Sequence, residues 1–281
     1  MTEHNAVRRA TPHIYLWIAI LILLFPILLV FIASTHTSAE ILSAPMPLTP
    51  GTHMAENYTR AVLEGNKNLG ASALMMMKNS LIMALGIAFG KIIVSLLASY
   101  AIVFFNFKLR NFCFWAIFIT LMLPVEVRIM PTYKVISDLG LLNSYAGLIL
   151  PMIVSATAVF LFRQFFMQIP REIAEASQID GASPMQFFWR ILLPMTRTPI
   201  AAMFVIQFIY GWNQYLWPLL ITTKQEYYTI LIGINRMLSG ADVQIEWQIV
   251  MATTLLAMIP PALVVVLMQK QFVAGMTDRE K

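Results

Sequence analysis

Six apolar stretches alternate with shorter polar ones along this chain. They are Ile14–Ala33, Leu81–Phe105, Phe112–Val125, Leu142–Phe162, Ile200–Thr222 and Ile249–Met268. A hydrocarbon core of about 30 Å takes roughly 20 apolar residues of α-helix. The third stretch is shorter and meets Pro124 just before Glu126 and Arg128. It continues as a span only if those charges face protein or water. No Asp, Glu, Lys or Arg occurs in 111–125, 139–162 or 198–223. Pro26, Pro151, Pro218 and the Pro260–Pro261 pair fall inside the stretches. Transmembrane helices tolerate proline because neighbouring helices satisfy the freed carbonyls. The pattern predicts an all-α, polytopic membrane protein with about six transmembrane helices in a single domain, 1–281. A long loop, 34–72, follows the first span, and a polar segment, 170–194, separates the fourth from the fifth.

Composition agrees with lipid as the solvent. Of 281 residues, 59% are hydrophobic and 12% charged, against about 25% charged in soluble domains. Arg8 and Arg9 before an apolar stretch resemble a signal peptide. That stretch runs through Ile14–Ala33, whereas a signal core is about 7–15 residues, so an uncleaved first helix is expected. The net charge of +5 forms no continuous basic stripe, which argues against a nucleic-acid partner. Basic residues instead record orientation. With the N-terminus inside, eleven fall on the cytoplasmic side: Arg8, Arg9, Lys108, Arg110, Arg163, Arg171, Arg190, Arg197, Lys270, Arg279 and Lys281. Six fall outside: Arg60, Lys67, Arg128, Lys134, Lys224 and Arg236. Both termini are therefore expected in the cytoplasm, with 34–72 external.

Candidate chemistry is sparse. His4, His13, His36 and His53 lie in the first fifth of the chain without ligand spacing, so no metal is expected. Cys113 is the sole cysteine, which excludes an internal disulfide. Gly86-Ile-Ala-Phe-Gly90-Lys91-Ile92 has three residues between glycines where a phosphate-binding loop needs four. It also lacks the Ser or Thr that holds Mg²⁺. No cofactor is expected in this chain. If nucleotide drives it, another subunit supplies the site.

The segment 170–194 reads as two short helices with a bend. Pro170 suits a helix start, and Glu172 complements the helix dipole. Gly181 lets the chain turn with positive φ. Ser183, Pro184 and Gln186 form a capping box that restarts the helix, and Pro194 is expected to end it. Ala174, Ala176 and Ser177 give the first helix a low profile, suited to close approach by another backbone.

Within this segment, Glu175-Ala176-Ser177, then Gly181, then Ile191-Leu192-Leu193-Pro194 resembles the signature loop of ABC importer permeases. Ser177 stands where that pattern has a second Ala. The stretches Leu121–Arg128, Ser144–Gly147, Phe160–Phe166 and Tyr210–Pro218 are similar to the carbohydrate-uptake branch of the family. The resemblance implies the permease fold in a bacterial inner (plasma) membrane. It implies a second homologous permease as heterodimer partner, two cytoplasmic ATPase subunits that bind ATP and Mg, and a periplasmic substrate-binding protein received in part by 34–72. Glu175, Ala176, Ser177, Asp180, Gly181, Ile191 and Pro194 would form the ATPase-coupling loop. The implied cargo is sn-glycerol-3-phosphate, with a neutral sugar or polyol as the alternative.

Candidate pathway residues are Lys91, Glu126, Arg128, Asn213, Gln214, Tyr215 and Trp217. Lys91 lies midway along the second span, where a lysine costs roughly 2.5–3.5 kcal/mol on insertion scales. It faces either a cavity or a partner charge such as Glu126. In the first case Lys91 and Arg128 lend positive potential to an anionic phosphate monoester. Asn213 and Gln214 are adjacent, so on a helix they cannot face one direction. At least one would then pack against the partner permease. A membrane-embedded enzyme would need acids, bases or metal ligands at membrane depth, and none is evident. A secondary transporter would show more intramembrane carboxylates or a repeat. The orientation has a direct check. A reporter fused after Lys281 is expected to be active only inside the cell, and periplasmic activity would refute the six-span arrangement.

Overall fold

The computed structural model describes residues 3–66, 69–239 and 244–277. Lys67, Arg279 and Lys281 lie outside them, as do the side chains of Arg8, Arg9, Glu126 and Lys270. Among the described residues there are helices and no strand. Each expected apolar stretch meets a helix or a bent pair of helices. Thr11–Ser34, Ala73–Phe104 and Trp247–Gln269 are long and apolar enough to cross a membrane. Tyr145–Met152 with Ala156–Phe166 bends by 48°, and Pro184–Met195 with Arg197–Trp212 bends by 75°. Counting each bent pair as one span gives up to five by length and composition.

The third stretch departs from expectation. Its helix is Arg110–Ile119, ten residues long, followed by the tight turn Thr120–Met122. Pro124 caps a separate helix, Val125–Asp138. Proline supplies no N–H to continue the preceding helix and pushes the residue before it into extended conformation. Leu123 is accordingly extended, with φ −83° and ψ 116°. Arg128 therefore belongs to its own helix and does not prolong the third span.

The chain divides into two compact units, residues 1–77 with 232–259, and residues 78–231 with 260–281. In the first unit the expected loop 34–72 is an ordered cap. It contains the helices Ser38–Ile41 and Met54–Thr59 and a wide π turn, Arg60–Glu64. Buried Asn57 donates through Nδ2 to the carbonyls of Ser34 and His36, both at 2.9 Å. Thr35 Oγ1 accepts from Gly51 N–H at 2.7 Å. Arg60 pairs with Glu246 at 2.6 Å, and Ala61 packs with Ile249 and Ala252. Thr37 and Glu40 form a capping box. The Thr37 backbone N–H, with help from the His36 side chain, holds the Glu40 carboxyl below its ordinary 4.5. That cap is complete above pH 4.5 and is lost as the pH falls through the lowered value.

The second unit has an aromatic core. Tyr100, Phe162, Phe166, Phe187 and Phe188 are buried together, with Phe104 against them. Elsewhere small residues let helices approach. A Cβ on Gly211 would stand 2.9 Å from the Ala84 Cα, a distance at which something must shift. Cβ atoms on Gly86 and Gly90 would collide with the side chains of Ile149 and Ile153. The two glycines of the rejected phosphate-loop pattern thus serve helix packing.

One hydrogen-bond pair tests the ordered cap. Asn57→Leu leaves two buried carbonyls without their amide donor and should destabilise the protein by about 2–3 kcal/mol. A lowered unfolding midpoint in detergent would register this. An unchanged midpoint would show that 34–72 is held by other contacts.

Candidate functional site

The segment 170–194, the expected coupling loop, folds as a short helix (the docking helix of that expectation), a turn and an anchored second helix. Arg171–Ile179 is helical, with Pro170 at its N-cap and Glu172 in its first turn. Gly181 takes φ +77°. Its N–H donates to Gln178 O at 3.0 Å, and Ala182 N–H to Ser177 O at 2.9 Å. These two bonds are a Schellman closure, which places the glycine in the left-handed region. A Cβ there would meet nothing within 4 Å, so backbone conformation alone selects glycine. Ser183 and Gln186 form the expected capping box, at 3.3 and 2.8 Å, with Pro184 next.

The faces of the docking helix differ from the low-profile expectation. Ser177 is 5% exposed, and its Oγ donates to Ala174 O at 2.8 Å. Ala174 packs on the aromatic core of its own unit. Of the three small residues, Ala176 alone is exposed. The outward face also carries Glu175, Asp180 and Ile179, the last 87% exposed.

Beneath it the anchored helix is fixed by rings. Tyr100 donates its hydroxyl to Pro184 O at 2.7 Å, and its ring lies 5.0 Å from Phe188. Phe104 meets Phe187 edge-on at 5.2 Å. Pro194 does not end this helix. The turns Phe188–Leu192 widen to a π-helix, a local bulge of the kind seen where the regular ladder is disturbed. Pro194 lies within the next turn, Leu193–Met195. The break comes at buried Thr196, whose Oγ1 donates to the carbonyls of Leu192 and Leu193. Ile191 is half-buried and Pro194 exposed.

The pathway candidates separate. Lys91 is 5% exposed, with Nζ 3.5 Å above the Tyr210 ring centroid. Among the described side chains no carboxylate pairs with it. The Lys91–Glu126 pairing expected as one alternative lies outside the described residues. Arg128, the other candidate cation, is exposed. A desolvated cation–π contact is worth about 2 kcal/mol, less than the burial cost of a mid-span lysine.

Asn213, Gln214 and Tyr215 are not on a continuous helix, which overturns the premise that two adjacent residues must face apart. Arg197–Trp212 ends at Asn213, and a short helix, Leu216–Ile221, follows. Gln214 Nε2 donates to Tyr210 O at 3.1 Å, replacing a backbone donor that the break removes. Asn213 is exposed, while Gln214 and Tyr215 are half-buried. Trp217 is 1% exposed and donates Nε1 to Gly147 O at 3.2 Å. It is turned into the core, away from any path.

Two residues carry contacts that the sequence does not announce. Tyr210, the ring under Lys91, begins the stretch Tyr210–Pro218 with no pattern that marks it as a seat for a cation. Asn79 is buried, donates to the carbonyls of Glu226 and Tyr228 at 2.8 and 2.9 Å, and accepts from the Tyr145 hydroxyl at 2.7 Å. An amide near the start of a long apolar helix was the available signal.

Long apolar helices and bent helix pairs long enough to cross a membrane describe an integral membrane protein. Residues 91–278 match the family described as binding-protein-dependent transport system inner membrane component, and the chain belongs to that family. It is 54% identical over 282 residues, covering 100% of both chains, to the sn-glycerol-3-phosphate transport system permease protein UgpE of Agrobacterium fabrum. The protein of the same name from Brucella melitensis is 53% identical with the same coverage. That from Yersinia pestis is 52% identical over 96% of each chain. The fold is shared with a bacterial ABC transporter involved in import of the acidic polysaccharide alginate, with TM-score 0.82, 20% identity and coverage of 96% and 98%. The chain is a transmembrane permease subunit of an ABC importer.

Gly181 offers a graded test of the docking turn. Gly181→Asn, which tolerates positive φ, should keep most uptake. Gly181→Val places a β-branched residue where φ is +77°, a strain of about 1–3 kcal/mol, and should abolish uptake while the chain still inserts. Glu175→Lys should do the same by reversing an exposed charge. Normal transport by Gly181→Val and Glu175→Lys would remove this segment from coupling.

Proposed function

We propose that this chain carries sn-glycerol-3-phosphate inward, released to it by a periplasmic binding protein and driven by ATP hydrolysed in separate cytoplasmic subunits. The observation that carries the substrate reading is Lys91. It is a buried mid-span cation without a carboxylate partner among the described side chains, seated on Tyr210. A desolvated cation without a counter-charge is unfavourable unless an anion joins it. A phosphate monoester carries up to two negative charges and several acceptor oxygens, so it suits that locus better than a neutral sugar does. The full-length likeness to permeases named for this substrate supports the same reading.

In the mechanism we infer, a second permease completes the pathway, and two ATPases dock from the cytoplasm on the face of Glu175, Ala176 and Ile179. ATP binding closes the ATPases, and the docking helix moves with them. The ring seat of Tyr100, Phe187 and Phe188 passes that motion to the bundle as a rigid displacement. Access then alternates because ATP and substrate each favour one of two states.

Uptake from an intact binding protein tests the substrate. Lys91→Met and Arg128→Gln should each slow sn-glycerol-3-phosphate transport by about tenfold or more, since hydrogen bonds to charged groups are worth roughly 1.5–3 kcal/mol. Assembly with the partner subunits should be preserved. Parental rates in both variants would make these charges structural and overturn the reading.

A further inference from the structure

At the end of the bundle that the basic-residue count assigns to the cytoplasm lies a cavity of about 480 Å³. It is lined by Asn106, Arg110, Asn111, Arg163, Arg171 and Glu175, with apolar side chains filling the rest of its wall. Three guanidiniums face one carboxylate, and none of the four forms an ion pair among the described residues. Arg163 has its guanidinium carbon 4.0 Å from the Phe114 ring centroid. Its Nε is buried and has no hydrogen-bond partner among the described residues. With three guanidiniums against one carboxylate and no ion pair among them, the lining is net positive, which suits an anionic acceptor. Two helices begin at it, Arg110–Ile119 and Arg171–Ile179, and neither start has a side-chain cap. Helix starts favour negative charge; Arg110–Ile119 has no acidic residue in its first turn, so an anion in the cavity would complement it.

We propose that this cavity holds the phosphodiester headgroup of an anionic phospholipid from the cytoplasmic leaflet. The chemistry required is an oxyanion that accepts from several guanidinium and amide donors at once. A lipid is the source because the cavity opens beside an exposed apolar stripe. Phe112, Trp115 and Ile119 recur at helical spacing on the helix that starts at Arg110, all more than half exposed, and an acyl chain can lie along them. Basic pockets between helices on the cytoplasmic side are suited to such headgroups. Arg171 and Glu175 belong to the docking helix, so the bound lipid ties that helix to the ends of the spans and conditions coupling on membrane charge.

The test uses the whole transporter, with both permeases and both ATPases, in nanodiscs of phosphatidylcholine containing a minor fraction of phosphatidylglycerol. Native mass spectrometry counts retained lipid, and substrate-stimulated ATPase activity is read in parallel. Phosphatidylglycerol should be retained over phosphatidylcholine and should stimulate the ATPase. Arg110→Gln and Arg163→Gln should each weaken its retention about fivefold, the worth of one basic residue at an anionic surface. Lys108→Gln removes the same charge from the same loop without lining the cavity and should change nothing. Arg110→Gln guards against misfolding of Arg163→Gln, since Arg110 makes no ring contact of the kind Arg163 makes. Equal retention in parent and both arginine variants would overturn the proposal. So would displacement of the lipid by inorganic phosphate alone, which would mark a free-anion site. Retention that appears only after the ATPases are stripped would also overturn it, because the arginines would then belong to a protein contact.

Discussion

In a membrane, a backbone group freed by a break in a helix has no water to turn to. Much of this structure follows from how those groups are satisfied. Thr196 bends the helix pair at 75° and covers the carbonyls of Leu192 and Leu193 with its own hydroxyl. Gln214 does so for Tyr210 where the fifth span opens. Ser144 and Ser155 cap the two halves of the other bent pair, accepting from Gly147 and Ala158 N–H at 3.0 and 3.2 Å. Asn143, with φ 51°, accepts from the N–H groups of Thr223 and Lys224 at 2.7 and 2.8 Å. Each break is thus stabilised locally, and each lies where a straight helix would serve the protein less well. The bend at Thr196 turns an anchored surface helix into a span. The opening at Asn213 frees amide and phenol groups from the helical ladder.

The same logic explains the seat of the docking helix. A helix lying across the end of a bundle has one face on protein and one in solvent, so its inner face must be small or apolar. Ala174 and Ser177 meet that need, and Ser177 satisfies its own hydroxyl within the helix. The rigid part of the connection is aromatic. Tyr100, Phe104, Phe187 and Phe188 interlock at centroid distances of 5.0 to 6.3 Å, in geometries that resist sliding. These contacts fix the second helix of the segment to the helix that carries Tyr100 and Phe104.

Period and length made the long helices, the cap box at Ser183 and the turn at Gly181 legible in the sequence, because each rests on local chemistry. Three things were not legible. The third stretch read as one apolar run, yet Pro124 divides it, and hydropathy does not weigh a missing N–H. The fifth read as continuous, yet it opens at 213–215, because Gln214 can replace a backbone donor and so permits a break. Ser177 read as outward because small residues suit close approach, but the approach it serves is that of its own bundle. Which face of a nine-residue helix turns inward is set by tertiary packing, and its own pattern leaves two answers open. Tyr210 was invisible as a site residue for a related reason: a cation–π contact joins two helices far apart in sequence.

Arginine and lysine then divide into three uses, and the division separates transport from topology. Exposed ones such as Lys108 and Arg197 keep their water, and any role they have in orienting the chain tolerates exchange of one basic residue for another. Lys91 is buried on a ring, where a compact ammonium fits and a planar guanidinium would need more space. Arg163 is the reverse case. Its guanidinium lies over the Phe114 ring at 4.0 Å and lines a cavity as well, a double contact that a planar, extended group can make and a compact ammonium cannot. A count of basic residues treats these alike, because it reads only where charge sits in the sequence. What each charge touches distinguishes them. Desolvation is unfavourable unless something of opposite charge returns, and Arg60 meets that need with Glu246. Lys91 and the buried Nε of Arg163 have no such partner among the described residues, which sets them apart from the basic residues that keep their water.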